Sequence, residues 1–141
     1  MYALYTAVTA VLFVLAAPVF LWKGRGTGKY LRTFRARMAW EGTPRSDAPS
    51  IWIHAVSVGE VLVARPLIER LKTRFPDTPI FVSTTTITGQ SVAQNGLTGI
   101  DGLFFAPFDW PRPVRRTLGE LKPRLLVLVE TDCPVIVVVE T

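Results

Sequence analysis

Cysteine and histidine are nearly missing from this chain, with one of each among 141 residues. A lone Cys133 closes no intrachain disulfide, which suits a reducing cytoplasm, and a lone His54 suggests no metal site. Neither a G-x-G-x-x-G nor a Walker-type loop occurs, so the usual nucleotide fingerprints are excluded. No repeat of domain size and no low-complexity tract is present. The sharpest absence is of charge: Met1 to Trp22 carries none, while Lys23, Arg25, Lys29, Arg32, Arg35, Arg37 and Arg45 follow with only Glu41 among them.

That asymmetry reads as a membrane signature. An uncharged stretch of 22 residues, rising ~1.5 Å each as a helix, is about 33 Å long against a hydrocarbon core of about 30 Å. A secretory signal would place its basic residues before the apolar stretch and a small-residue cleavage site after it; here the basic block comes after. The expectation is an uncleaved anchor over 1–22 with the N-terminus outside and everything from Lys23 inward facing the cytoplasm, at the inner membrane. Pro18 weakens the helix, and shallow insertion in the interface is the alternative. The basic run after it reads either as a topology signal or as a clamp on anionic lipid. A net charge of +5 would also suit nucleic acid, but the excess sits beside the anchor and no recognition motif is present.

Residues 23–49 read as a basic juxtamembrane segment and linker, with Gly42, Pro44, Asp47 and Pro49 and no apolar period. From Ser50 the pattern alternates. Strands are expected at Ser50 to Ala55, Ile80 to Thr84, Gly102 to Phe105 and Leu125 to Val129, and helices around Val61 to Phe75, Gln90 to Gln94 and Pro113 to Leu121. Such alternation predicts an α/β domain, a Rossmann-like parallel sheet with helices on both faces. Pro66 must lie in the first turn of a late-starting helix or kink it.

Four blocks stand out: HAVSVGE (His54 to Glu60), VSTTTITGQ (Val82 to Gln90), FFAPFDWP (Phe104 to Pro111) and PRLLVLVET (Pro123 to Thr131). In the first, an apolar strand runs into a Ser/Gly turn that delivers the Glu60 carboxylate to the mouth of a helix, at the sheet rim where α/β proteins put their chemistry. Glu60 is a candidate general base; the plain alternative is a helix N-terminal Glu held by the macrodipole. Ser57 and Gly59 make the turn, Gly59 by accepting positive φ and letting a ligand approach the backbone. His54 either orients Glu60 or binds substrate, or is a satisfied half-buried histidine. Ser83, Thr84, Thr85, Thr86 and Thr88, closed by Gly89 and Gln90, crowd hydroxyls at the same rim, though each alone is an ordinary strand-end or cap residue. Asp109 offers a second carboxylate or caps the next helix. Arg112, Arg115 and Arg116 reach for phosphates or are solvated surface.

In this order the four blocks resemble the N-terminal half of the 3-deoxy-D-manno-octulosonic acid (Kdo) transferases. The resemblance implies an inverting glycosyltransferase of the two-domain GT-B type that moves Kdo from CMP-Kdo to a lipid A precursor in lipopolysaccharide core biosynthesis. By it residues 50–132 are the acceptor-binding half, Glu60 is the general base, and Ser57, Gly59, Thr84, Thr85, Thr86, Gly89, Gln90, Asp109 and Glu130 line the acceptor site. It implies no metal and no cofactor besides the donor CMP-Kdo, which belongs to a C-terminal half not expected here. The expected partners are therefore the lipid A precursor and membrane lipids, with this chain inactive alone. The rival reading is a catalytically inactive, membrane-bound lipid-binding fragment of that family. Where the family continues E-T-E-L-W-P-N, this chain reads ETDCPVIVVVET, so 133–141 reads as a divergent tail prone to pair at a sheet edge or aggregate, a divergence that a shifted frame or truncated gene copy would produce.

Overall fold

The computed structural model describes residues 29–130, the strand at 135–138 and the isolated positions Val11 and Leu15. Two compact units result, Met1–Arg35 and Ala36–Thr141. Among the described residues no helix is long and apolar enough to cross a membrane. The anchor expected over 1–22 lies outside the described residues, those two positions excepted.

Helix α1 covers Lys29–Arg37. The elements after it run β1 (Ser50–Ala55), α2 (Val58–Arg74), β2 (Ile80–Thr84), α3 (Ile87–Gly96), β3 (Gly102–Phe105), α4 (Pro111–Leu121), β4 (Pro123–Val129) and β5 (Val135–Val138). The sheet order is β3-β2-β1-β4-β5. The first four strands are parallel, and β5 pairs antiparallel with β4 at the edge. Strand order reverses between β1 and β4, the switch point at which open α/β sheets open a crevice at their carboxyl ends. The Rossmann-like expectation holds for this sheet. The tail predicted to pair at an open edge does so through β5.

Alternate residues of β1 feed opposite faces, because successive side chains of a strand point to opposite sides. Ile51, Ile53 and Ala55 join Val61, Ala64 and Ile68 of α2, Ala93 of α3, and Val127 and Val129 of β4 in one aliphatic core. Trp52 points the other way, into a cluster with Phe81, Phe104 and Leu121, so α4 covers the second face. Trp52 and Phe104 pack as a tilted pair at 5.8 Å.

Each helix starts earlier than its apolar period suggests, because its first turn is set by capping. Helix α2 begins at Val58 rather than Val61, which leaves Pro66 inside the helix and not in its first turn. Its ring removes the bond the Leu62 carbonyl would accept, a defect placed where the residue is exposed. Helix α3 begins at Ile87 because the Thr86 hydroxyl accepts from Gly89 N–H at 2.9 Å. Helix α4 begins at Pro111, whose ring suits the first helical position, with Trp110 as the N-cap. Asp109 therefore precedes the cap and is not the cap itself.

The stretch read as a linker is tied to the domain. Ser46 N–H donates to the Glu120 carbonyl at 2.8 Å, and Ser46 is buried. Pro44 sits so close to Gly102 that a Cβ there would lie 3.0 Å from its ring.

Candidate functional site

The rim at the carboxyl ends of the strands, where the candidate residues lie, is built by two loops that share one carbonyl. After β1 the chain turns at Val56, whose carbonyl accepts from both Thr85 N–H and Thr86 N–H at 3.2 Å. This holds the β1–α2 turn against the β2–α3 turn, and a Cβ on Gly89 would lie 2.7 Å from the capping Thr86 Oγ1 and in ordinary contact, 3.5 Å, with the Ser57 carbonyl carbon. Gly89 is thus a residue of close approach. Gly59 is not the positive-φ residue expected; it is the second residue of α2, exposed, with nothing nearer to an added Cβ than Ser57 Oγ at 4.0 Å.

Glu60, the third residue of α2, reaches back so that its Oε2 accepts Ser57 N–H at 2.9 Å. Such a contact is one arm of a capping box, and the helix dipole favours the carboxylate there. Its other oxygen has no hydrogen-bond partner among the described residues, and the side chain is half-buried. The helix-terminal reading is met in full, and the contact leaves one carboxylate oxygen without a hydrogen-bond partner among the described residues.

On the face of the sheet opposite the aliphatic core lies a polar chain. The Trp52 indole N–H donates to Ser83 Oγ at 2.8 Å, and Ser83 Oγ lies 2.9 Å from His54 Nδ1. Ser83 is fully buried. Trp52 can only donate, so the serine hydroxyl proton is left for the imidazole, an arrangement that suits neutral His54 with Nδ1 accepting. Burial pushes the His54 pKa down, the Ser83 backbone and the Glu60 charge push it up, and the Arg37 charge pushes it down again. Desolvation prevails. The charges of Glu60 and Arg37 thus act on His54 in opposite directions.

Of the remaining expected residues, Thr84 is fully buried and spends its hydroxyl on Gln90 Oε1 at 2.6 Å, so it supports Gln90 rather than facing the rim. Thr86 caps α3. The Thr85 carbonyl accepts from the Arg37 guanidinium. Phe108 N–H donates to the Arg37 carbonyl at 2.9 Å, which brings the β3–α4 loop with Asp109 to the same end of the sheet. Glu130 is exposed and follows Val129, the register partner of Ala55, so it stands across the switch point from the Val56 turn. Arg112, Arg115, Arg116 and Thr88 are exposed. Among the described residues no three His, Cys, Asp or Glu side chains group to hold a metal.

Two contributors escaped the sequence reading. Trp52 is two residues from His54 on one strand, and that spacing alone places both on one face. Arg37 lay hidden in a run of basic residues, and its partner Thr85 is 48 residues away.

The family model of 3-deoxy-D-manno-octulosonic-acid transferase (kdotransferase) matches residues 32–141. The chain belongs to the Kdo transferase family. The match runs past the four sequence blocks at both ends and includes the tail that seemed divergent. Among curated relatives, the 3-deoxy-D-manno-octulosonic acid transferase of Chlamydia muridarum is 29% identical over 132 residues, covering 92% of this chain and 31% of the relative. That of Chlamydia pneumoniae is 30% identical over 132 residues, with 92% and 30% covered. A probable mitochondrial 3-deoxy-D-manno-octulosonic acid transferase of Arabidopsis thaliana is 30% identical over 131 residues, with 93% and 29% covered. The chain thus spans about 30% of the length of the relatives it matches.

Proposed function

We propose that this chain is the acceptor-binding half of a two-domain, inverting Kdo transferase, which moves Kdo from CMP-Kdo to a lipid A precursor in lipopolysaccharide biosynthesis. One observation carries the catalytic part of the reading: Glu60 is fixed at the sheet rim by one oxygen while the other has no hydrogen-bond partner among the described residues. In the proposed step the acceptor hydroxyl oxygen attacks the anomeric carbon of Kdo as the bond to the CMP phosphate breaks. The hydroxyl proton passes to Glu60, and CMP leaves with the bonding pair. Ser57 N–H holds the carboxylate in place, and Thr85, Thr86, Gly89 and Gln90 shape the neighbouring loop, with Asp109 and Glu130 flanking it. Binding of CMP-Kdo is assigned to the further length that the relatives possess, so the 141-residue chain alone should release no CMP. Its uncharged start and basic run support attachment at the cytoplasmic face of the inner membrane.

The test joins the further length of a Chlamydia relative after Thr131 and measures CMP release with CMP-Kdo and lipid A precursor. Glu60→Gln in that chimera should lower turnover about 10²-fold or more with acceptor binding nearly unchanged, since Gln keeps the size but takes no proton. Turnover at the parent rate would pass the role to Asp109 or Glu130.

A further inference from the structure

Arg37 is half-buried at this rim, yet among the described residues no carboxylate lies within salt-bridge distance of it. Desolvation alone lowers its pKa, with no acidic neighbour acting against it. Burying part of a guanidinium is costly unless charge and hydrogen bonds answer it. The fold answers only in part. The Thr85 carbonyl takes one donor from Nη2, and the cation lies over the rings of Phe105 and Phe108 at 5.9 and 5.6 Å from their centroids. Nε and Nη1 have no hydrogen-bond partner among the described residues. The carbonyl and the rings hold the guanidinium, and Nη2 keeps a second N–H that, with the N–H of Nε or of Nη1 beside it, gives the two parallel donors an oxyanion accepts.

The position matters as much as the geometry. Thr85 belongs to the loop tied to Val56, one residue before the Ser57 cap of α2, and the field of Arg37 reaches His54, as that of Glu60 does. A negative group held at Arg37 would lie at the loop cluster that also carries the proposed base.

We propose that Arg37 is the oxyanion-binding residue of this rim, holding a phosphate ester or a carboxylate on the sugar substrate while an adjoining hydroxyl meets Glu60. It rests on the reading of the rim as a substrate site. Anion binding is nevertheless measured without turnover, so failure of the chimera assay and failure of this proposal are separate results.

The experiment titrates the purified chain with inorganic phosphate, glucosamine 1-phosphate and free Kdo at constant ionic strength in chloride. The readout is the Arg37 Nε–H and Thr85 N–H resonances. Saturable shifts of both are expected with at least one probe, and tighter binding of the sugar phosphate assigns the site to the acceptor, tighter binding of Kdo to the transferred sugar. Arg37→Lys, which keeps the charge but not the fork, should weaken binding about tenfold or more. Arg37→Gln should abolish it, and Arg70→Gln, an exposed change on α2, should leave it unaltered. Equal affinity in Arg37→Gln, or shifts that never saturate, would overturn the proposal. Should Arg37→Gln fail to fold, the resonances of the unsubstituted chain decide: saturation at both supports it, and its absence refutes it.

Discussion

The two faces of the sheet divide one strand between an aliphatic core and a hydrogen-bonded polar chain. From β1, Ile51, Ile53 and Ala55 enter a core of aliphatic side chains, while Trp52 and His54 enter a face where buried Ser83 links an indole to an imidazole. The first face can tolerate a change of shape only at the cost of a cavity; the second fails when a hydrogen-bond partner is removed, whatever the volume. A strand's two-residue period thus lets a single element anchor the fold on one face and carry a buried polar chain on the other. The rim loops then draw on both, since Glu60 and Val61 are neighbours in α2 and only Val61 is in the core.

The largest expected effect falls on the aliphatic face. Ile53→Ala at a fully buried position should cost about 2–5 kcal/mol of stability, read as a lower urea midpoint for unfolding of the purified chain. A loss below about 1 kcal/mol would mean that this face is loosely packed and that the contrast between the faces is wrong.

Next comes the polar face. Ser83→Ala changes little volume but leaves the Trp52 indole N–H buried without its acceptor, a loss of about 1–3 kcal/mol. It should also free the imidazole, so the His54 ring resonances should show a changed tautomer balance, which Ile53→Ala should not produce. Identical spectra in the two variants would show that Ser83 fills space and nothing more.

Much of this division was legible in the sequence. Apolar runs bounded by Gly, Pro and Thr marked β1, β2 and β3 to the residue; for β1 and β2 the reason is that a central parallel strand is buried on both faces. Helix starts were read late for a physical reason: the first turn of a helix is defined by its caps, Ser57 with Glu60 and Thr86 with Gly89, and apolar periodicity begins only a turn later. Glu60 was legible because its motif couples a strand end, a turn and a carboxylate within seven residues. Arg37 was not, since its meaning comes from Thr85, Phe105 and Phe108, which only the folded chain brings to it. The positive φ assigned to Gly59 was an error of analogy: glycine in a turn motif was read as a turn residue, whereas the helix had already begun.

The smallest expected effect sharpens the comparison by pH. Burial holds the His54 pKa below its ordinary value of 6.5, against opposing effects of the Ser83 backbone and Glu60 and with the help of Arg37. The unfolded chain therefore binds more protons than the folded one between the folded pKa and 6.5. The contribution to stability is full above 6.5, and it is lost as pH falls through 6.5 toward the folded value. Because His54 is the only histidine, its ring resonances report one group with no overlap. They should titrate below 6.5, and the urea midpoint should fall between pH 7 and pH 5.5 more in the parent than in His54→Gln, where other titrating groups are shared. A His54 that titrates at or above 6.5 would mean that the Ser83 hydrogen bond and the Glu60 charge together outweigh desolvation, and the polar face would then have to be redrawn around a charged imidazole.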